Sequence, residues 1–205
     1  MKKKLTVKEI LESKGKKKLT QVYVHTPLEA NACEKSEIDM IISSENNNFK
    51  FLRENAMNTF FTVGLQYGRY LSEYEIIKKS FQLLEMGADA IYCPQSARFI
   101  KAIANEGIPV VGHTGFIPYK LTQYGGFRAY GKNLKEGKKI LNEIHILQDA
   151  GAFATEIEIV PEEIVEIIYK ETDIFLIGMG SGAICDAQYL SVSYTHLTLP
   201  TKRIV

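Results

Sequence analysis

The chain has 205 residues, of which 45% are hydrophobic and 24% are charged, an ordinary composition for a globular domain. Its formal net charge is +1, so no overall field draws it to nucleic acid or to a membrane. Lysines are concentrated in residues 1–20, where the acidic residues are Glu9 and Glu12. This pattern predicts a solvated N-terminal helix with a lysine-rich end. A basic arm for RNA or anionic lipid is the alternative.

The cysteines and the N-terminal residues indicate which cellular compartment to expect. The chain has an odd number of cysteines, and they lie far apart, at Cys33, Cys93 and Cys185. Neither a disulfide framework nor a zinc site is therefore indicated. The opening Met-Lys-Lys-Lys is followed by no apolar segment of a signal peptide, and no apolar run approaches the roughly 18 residues of a membrane span. We expect a cytoplasmic protein with neither nucleic acid nor a membrane as partner.

Seven short apolar runs are typical of buried strands. Several are apolar on consecutive residues, as parallel strands covered on both faces are. The runs are 21–26, 39–44, 59–64, 88–93, 108–112, 154–159 and 174–178.

Helical stretches separate most of these strands. Ser72 and Glu75 form a predicted capping box, and Gly87 is predicted to end that helix. A second helix is predicted to end at Gly151, and Pro161 is predicted at the first position of a third.

This alternation is compatible with a doubly wound sheet or with a (β/α)8 barrel. Seven strands, no GxGxxG motif and polar residues at many strand ends favour the barrel, whose reacting groups project from the carboxyl ends of the strands. An eighth strand is not recognised, so residues 1–190 are predicted to form an incomplete α/β barrel of about seven βα units. Residues 191–205 are interpreted as a non-native or disordered tail, with a natural flexible tail as the alternative.

The predicted strand ends carry candidate chemistry. Glu156 and Glu158 share parity, so both side chains point to the same side of strand six, and a carboxylate in an apolar lumen could act as a base. His113 lies between Gly112 and Gly115, which would allow a ligand close to the backbone. The glycines in 178–182 offer backbone amides for a carboxylate or phosphate ahead of a predicted helix.

These segments resemble ketopantoate hydroxymethyltransferase, a family of the pantothenate pathway, most closely over residues 108–190. The similarity rests on 108–118 (IPVVGHTGFIP), Gly125-Gly126-Phe127, Gly131, 149–152 (DAGA), 158–161 (EIVP), 177–182 (IGMGSG) and 185–188 (CDAQ).

The resemblance implies a barrel of the phosphoenolpyruvate mutase and isocitrate lyase type. It implies transfer of a hydroxymethyl group from methylenetetrahydrofolate to 3-methyl-2-oxobutanoate, with Glu158 as the base that removes the proton next to the carbonyl. The substrate-binding residues are then expected to be Ser44, Tyr92, His113, Gly178 and Gly180. A homo-oligomer is also expected.

The N-terminal half departs from the family. Ser43-Ser44-Glu45 stands in place of Gly-Asp-Ser, Gly64 in place of an aspartate, and Tyr92-Cys93-Pro94 in place of Lys-x-Glu. At most one carboxylate, Glu45, remains for the magnesium ion that holds the keto acid in the family, so weak magnesium binding is predicted. Two hypotheses stay open: an enzyme acting on a 2-oxo acid, and a non-catalytic relative that binds such an acid without the metal.

Overall fold

The computed structural model describes residues 3–46 and 48–191, in which eight strands alternate with helices. The strands are β1 (Leu19–Tyr23), β2 (Met40–Ser44), β3 (Phe60–Gly64), β4 (Ala90–Tyr92), β5 (Val110–Gly115), β6 (Ala154–Glu158), β7 (Phe175–Met179) and β8 (Ala187–Ser191). The helices are α1 (Val7–Glu12), α2 (Pro27–Lys35), α3 (Phe49–Glu54), α4 (Glu73–Glu85), α5 (Ala97–Asn105), α6 (Leu134–Asp149) and α7 (Glu162–Lys170), with a 3-10 helix at Pro118–Tyr124.

All eight strands are parallel and form a closed barrel in sequence order. The predicted barrel is therefore confirmed, but the prediction that the eighth strand is missing is wrong. β8 pairs with β1 over Leu19↔Ala187 to Tyr23↔Ser191, and with β7 at Ile177↔Ala187. Neither β1 nor β7 has a free edge.

The eighth strand escapes prediction for two reasons. The chain between β7 and β8 contains no helix, so the alternation that marks the other units stops there. β8 itself reads AQYLS and is mostly half-buried, which gives no continuous apolar run. Ser191, assigned to the predicted tail, belongs to this strand, and residues 192–205 lie outside the described part of the chain.

Local signals set several helix ends. The predicted capping box is present, since Ser72 Oγ accepts from the Glu75 amide and the Glu75 side chain accepts from the Ser72 amide. Gly87 follows α4 with a φ of 99°, a conformation that favours glycine. Pro161 is the N-cap of α7, one residue before the predicted position.

Alternate strand residues fill the barrel interior, as the two-residue period of a strand requires. The interior apolar layer consists of Ile10, Leu19, Met40, Phe60, Ala90, Val111, Ala154, Phe175, Ile177 and Ala187. Ile10 belongs to α1, which the sequence indicates as a solvated helix; it is fully buried and closes the amino end of the barrel.

The lysines that follow α1 are not all free in solvent. Lys14 Nζ lies 3.0 Å from Asp186 Oδ2, and Lys17 Nζ lies 2.9 Å from Asp39 Oδ1. These contacts tie the N-terminal segment to the barrel. Within the described ranges, no helix is long and apolar enough to cross a bilayer.

Candidate functional site

The strand register brings Glu158 and His113 together inside the carboxyl end of the barrel. β5 and β6 are neighbours, with His113 opposite Glu156 and Gly115 opposite Glu158. His113 Nε2 lies 3.1 Å from Glu158 Oε2, and the two side chains are only 5% and 11% exposed. This carboxylate and imidazole occupy the end of the barrel where catalytic groups of this fold are found.

One nitrogen of the His113 ring has a hydrogen-bond partner, and the other has none among the described residues. Nδ1 lies 2.5 Å from the Tyr92 hydroxyl. Nε2 is close to Glu158, but that approach is outside hydrogen-bond geometry, and Nε2 has no hydrogen-bond partner among the described residues. Buried polar atoms normally find partners, so an unsatisfied nitrogen beside a carboxylate indicates a position for a ligand atom.

Tyr92 forms the hydrogen bond on the Nδ1 side of the His113 ring. Burial, followed by the nearby charge of Glu156, raises the pKa of Tyr92 well above its ordinary value of 10, so the phenol keeps its proton at neutral pH. When the phenol donates to Nδ1, the ring proton is on Nε2 and faces Glu158. His113 is then ready to donate a hydrogen bond to a ligand oxygen.

Glu156 lies one interior position below Glu158 and is 3% exposed. Gln21 Nε2 donates to its Oε1 at 3.1 Å, and its Oε2 is 4.0 Å from His113 Nδ1. Burial, with the charge of Glu158, raises the pKa of Glu156 from 4.5 to about 7, against the opposing effects of His113 and Gln21.

The stability of the protein should depend on Glu156. Because its pKa is higher in the folded state, its contribution is fully present below pH 4.5 and is lost as pH rises through about 7. The loss is on the order of 3 kcal/mol. Urea unfolding between pH 4.5 and 8 should show that the stability difference between wild type and Glu156→Gln shrinks or reverses in this window. A difference that stays constant with pH would contradict the shift.

The other predicted binding residues from the N-terminal half lie at the same mouth. The Ser44 amide donates to the Tyr23 hydroxyl at 3.2 Å. Tyr92 pairs with Gly64 on β3, and a Cβ at Gly64 would meet the Tyr92 ring at 3.3 Å. Two departures from the family pattern are therefore coupled: the tyrosine ring fills the space beside the glycine that stands in place of an aspartate.

Glu45, the predicted metal ligand, points into the helix layer. Its Oε1 accepts from the Gln66 amide at 2.8 Å, and its Oε2 accepts from the Tyr70 hydroxyl and lies 3.5 Å from Lys79 Nζ. The side chain is 1% exposed, so the carboxylate is fully engaged where it stands.

The residues present do not fit the magnesium ion of the family. Magnesium takes oxygen ligands in near-octahedral geometry. Among residues 3–46 and 48–191, no group of three or more His, Cys, Asp or Glu side chains could hold a metal. Ser44, Gly64 and Pro94 stand where the resemblance implies carboxylates. The Glu45 carboxylate is taken up by its contacts in the helix layer, so the donor set for magnesium is incomplete.

The glycine loop after β7 is not the predicted helix start. It leads into β8, and its amide at Ala183 already donates to Glu162 Oε1 at 2.8 Å. Gly178 alternates with the interior residue Ile177, and a Cβ added to it would lie 2.7 Å from the Cys185 sulfur on its outer side. Gly180 has a φ of 62° within this loop. The Glu162 carboxylate thus lies against the end of this loop, and binding of an anion by the amides of 178–182 stays a prediction.

Three interior polar residues are absent from the sequence-based prediction of the site. Gln21 and Tyr23 point inward from β1, and strand parity could have identified them. Tyr189 points inward from β8, opposite Gln21, and went unseen because that strand was unrecognised. The mouth is therefore lined by phenols and an amide as well as by the two glutamates.

A cleft of about 220 Å³ reaches His113 from between α5 and α6. Its walls are formed by Tyr67, Pro94, Gln95, Ser96, Ala97, His113, Ile117, Lys120, Glu143, Ile146 and Leu147. At its rim the Tyr67 ring stacks on Tyr119 with centroids 4.4 Å apart. His113 is the member of the carboxylate–imidazole pair that lines this cleft.

Comparison with protein families matches residues 46–199 to ketopantoate hydroxymethyltransferase. A 3-methyl-2-oxobutanoate hydroxymethyltransferase of Kosmotoga olearia is 30% identical over 210 residues, which cover 91% of this chain and 79% of the relative. An enzyme of the same name from Pyrococcus furiosus is 29% identical, over 91% of this chain and 74% of the relative. One from Clostridium botulinum is 42% identical over 109 residues, or 52% of this chain and 40% of the relative.

Solved structures share the fold at low identity. The 2,3-dimethylmalate lyase, a member of the PEP mutase/isocitrate lyase superfamily, has a TM-score of 0.68 at 13% identity, over 94% of this chain and 82% of the lyase. The carboxyl transferase domain of Rhizobium etli pyruvate carboxylase, solved with pyruvate, has a TM-score of 0.68 at 10% identity, over 90% of this chain and 42% of the other. These likenesses support the barrel type.

Proposed function

Because the chain belongs to the ketopantoate hydroxymethyltransferase family, we propose that it transfers a hydroxymethyl group from methylenetetrahydrofolate to 3-methyl-2-oxobutanoate. The observation that carries this proposal is the pairing of the Glu158 carboxylate with a His113 nitrogen that has no hydrogen-bond partner among the described residues. A base and a hydrogen-bond donor stand side by side at the carboxyl end of the barrel, as enolisation requires.

The proposed chemistry begins with the carbon acid. Glu158 takes the proton from the carbon next to the carbonyl, the C–H electrons form the new carbon–carbon double bond, and the carbonyl π electrons move to the oxygen to give an enolate. His113 Nε2–H donates to that oxygen, with the ring held by Tyr92 on the opposite nitrogen. Water breaks the two carbon–nitrogen bonds of the folate methylene group and releases the one-carbon unit as formaldehyde. The enolate carbon then bonds to the formaldehyde carbon, and the formaldehyde oxygen takes up the proton held by Glu158. Overall, methylenetetrahydrofolate, water and the 2-oxo acid give tetrahydrofolate and ketopantoate.

The cleft beside His113 is the proposed entrance for the folate. His113 forms part of its wall, and the stacked rings of Tyr67 and Tyr119 at its rim suit a flat heterocycle. The small 2-oxo acid is the only other partner this chemistry requires. The homo-oligomer expected from the resemblance stays a prediction.

The activity is tested by incubating the purified chain with methylenetetrahydrofolate and 3-methyl-2-oxobutanoate and following ketopantoate by NMR. We expect product to accumulate in proportion to enzyme. Binding of the 2-oxo acid without any product would contradict the proposal and favour a non-catalytic relative.

Magnesium should bind poorly to this protein. Ser44, Gly64 and Pro94 stand where the resemblance implies carboxylates. The Glu45 carboxylate is engaged by Lys79, so too few carboxylates face the lumen. Calorimetry with magnesium alone should give no saturable binding in the micromolar range. A micromolar dissociation constant would contradict this and indicate a ligand set that includes Glu45 or Glu156.

A further inference from the structure

The barrel lumen contains two acidic side chains and too few basic side chains to neutralise both. Glu156 and Glu158 are both buried and lie two residues apart on the same side of β6. No lysine or arginine is among the fully buried residues that the structure describes, and His113 is the side chain that approaches both carboxyls, at 4.0 Å and 3.1 Å. One imidazole can balance at most one of the two charges.

The two carboxyls are placed differently. Glu158 is at the mouth, 3.1 Å from His113 Nε2 and partly open to a ligand. Glu156 is deeper, 4.0 Å from His113 Nδ1, and Tyr92 already occupies that nitrogen at 2.5 Å. An isolated buried carboxylate is expensive to desolvate, and such a group takes up a proton instead.

We propose that Glu156 is a positioning residue that stays protonated while the site holds the 2-oxo acid, leaving Glu158 as the one negatively charged side chain among the described residues of the lumen. The inference rests on the proposed function for the identity of the ligand. A second charge at Glu156 would repel both the substrate carboxylate and the enolate, in surroundings that screen charge weakly.

The groups around Glu156 on every neighbouring strand agree with this assignment. Gln21 donates to Oε1 from β1, and Ile177 is its apolar neighbour on β7. Tyr92 and Tyr189 face it from β4 and β8, and burial raises the pKa of both phenols, so both are uncharged. The remaining titratable neighbours of Glu156 are His113 on β5 and Glu158 on β6 itself.

The pKa of Glu156 agrees with this placement. Its pKa of about 7 means that the carboxyl changes charge near neutral pH. If only the protonated form binds the 2-oxo acid, the apparent affinity falls in proportion to the protonated fraction of Glu156. That fraction is about 30-fold lower at pH 8.5 than at pH 6.

The first measurement follows the carboxyl itself. In protein labelled with ¹³C at glutamate carboxyl carbons, one signal should titrate near pH 7 in wild type and in the control Glu163→Gln, an exposed site on α7. That signal should be absent from Glu156→Gln. If it persists there, or if no glutamate titrates above pH 5.5, the proposal is overturned. Should Glu156→Gln fail to fold, Gln21→Met replaces it: loss of the amide donor should move the titration to higher pH.

The second measurement is calorimetric binding of 3-methyl-2-oxobutanoate at pH 6 and pH 8.5. Wild type and Glu163→Gln should weaken about 30-fold, whereas Glu156→Gln should change by less than about threefold. Equal pH dependence in all three proteins would overturn the proposal. If the 2-oxo acid binds at neither pH, the proposed function fails, and the carboxyl titration alone decides the protonation of Glu156.

Discussion

Replacing Glu158 by Gln should slow exchange of the 3-methyl-2-oxobutanoate proton for deuterium by about 1000-fold. General-base catalysis by a placed side chain contributes roughly 100- to 10,000-fold, and a glutamine cannot accept the proton. The exchange reports enolisation alone and needs no folate, so it isolates the step assigned to this carboxylate. Proton NMR of the 2-oxo acid in D₂O gives the rate.

The control for this substitution is Glu163→Gln, which changes the same side chain on the exposed face of α7. It should leave exchange unchanged. Binding of the 2-oxo acid to Glu158→Gln should persist, because His113 and Tyr92 are intact. Exchange within threefold of wild type in Glu158→Gln would remove this residue from the role of base.

Asp186→Ala should destabilise the protein by about 3–5 kcal/mol, the usual result of removing one partner of a buried ion pair. The Asp186 side chain is fully buried. Its Oδ2 lies 3.0 Å from Lys14 Nζ and accepts from the Leu176 amide at 2.9 Å, while Oδ1 accepts from the Tyr169 hydroxyl at 2.8 Å. One carboxylate therefore joins the segment after α1, strand β7 and helix α7.

This site also stands at the closure of the barrel. The Asp186 carbonyl accepts from the Leu19 amide at 2.9 Å, directly before β8 pairs with β1. Urea unfolding at pH 7 measures the loss, with the exposed Asp173→Ala as the matched control, expected within about 0.5 kcal/mol of wild type. A loss below about 1 kcal/mol for Asp186→Ala would show that other contacts close the barrel.

The sequence predicted the fold wherever local signals and packing agreed. The first seven strands combine apolar runs with glycine or capping signals at helix ends, and each run overlaps an observed strand. β8 carries neither signal: it is short, half polar, and held by pairing with β1, which lies far away in sequence. Such a strand is specified by its tertiary partners, which one-dimensional periodicity does not contain.

The candidate site was predicted in part, for a related reason. Strand parity placed Glu156 and Glu158 on one side, and the contacts of Glu156 with Gln21 and of Glu158 with His113 identify that side as the interior. Strand parity does not show which side chain packs into the space beside a glycine on the neighbouring strand, as the Tyr92 ring does beside Gly64. Nor could it show that Glu162 lies against the glycine loop, since that contact depends on how α7 packs.

Glu158 and His113 are the proposed reacting pair for a 2-oxo acid, and a crystal structure of the protein with 3-methyl-2-oxobutanoate tests this pairing most directly. We expect the ligand at the carboxyl end of the barrel. Its acidic carbon should lie within about 3.5 Å of a Glu158 oxygen, and its carbonyl oxygen should be in hydrogen-bond contact with His113 Nε2. A ligand bound elsewhere, or one whose acidic carbon faces away from Glu158, would contradict the assignment.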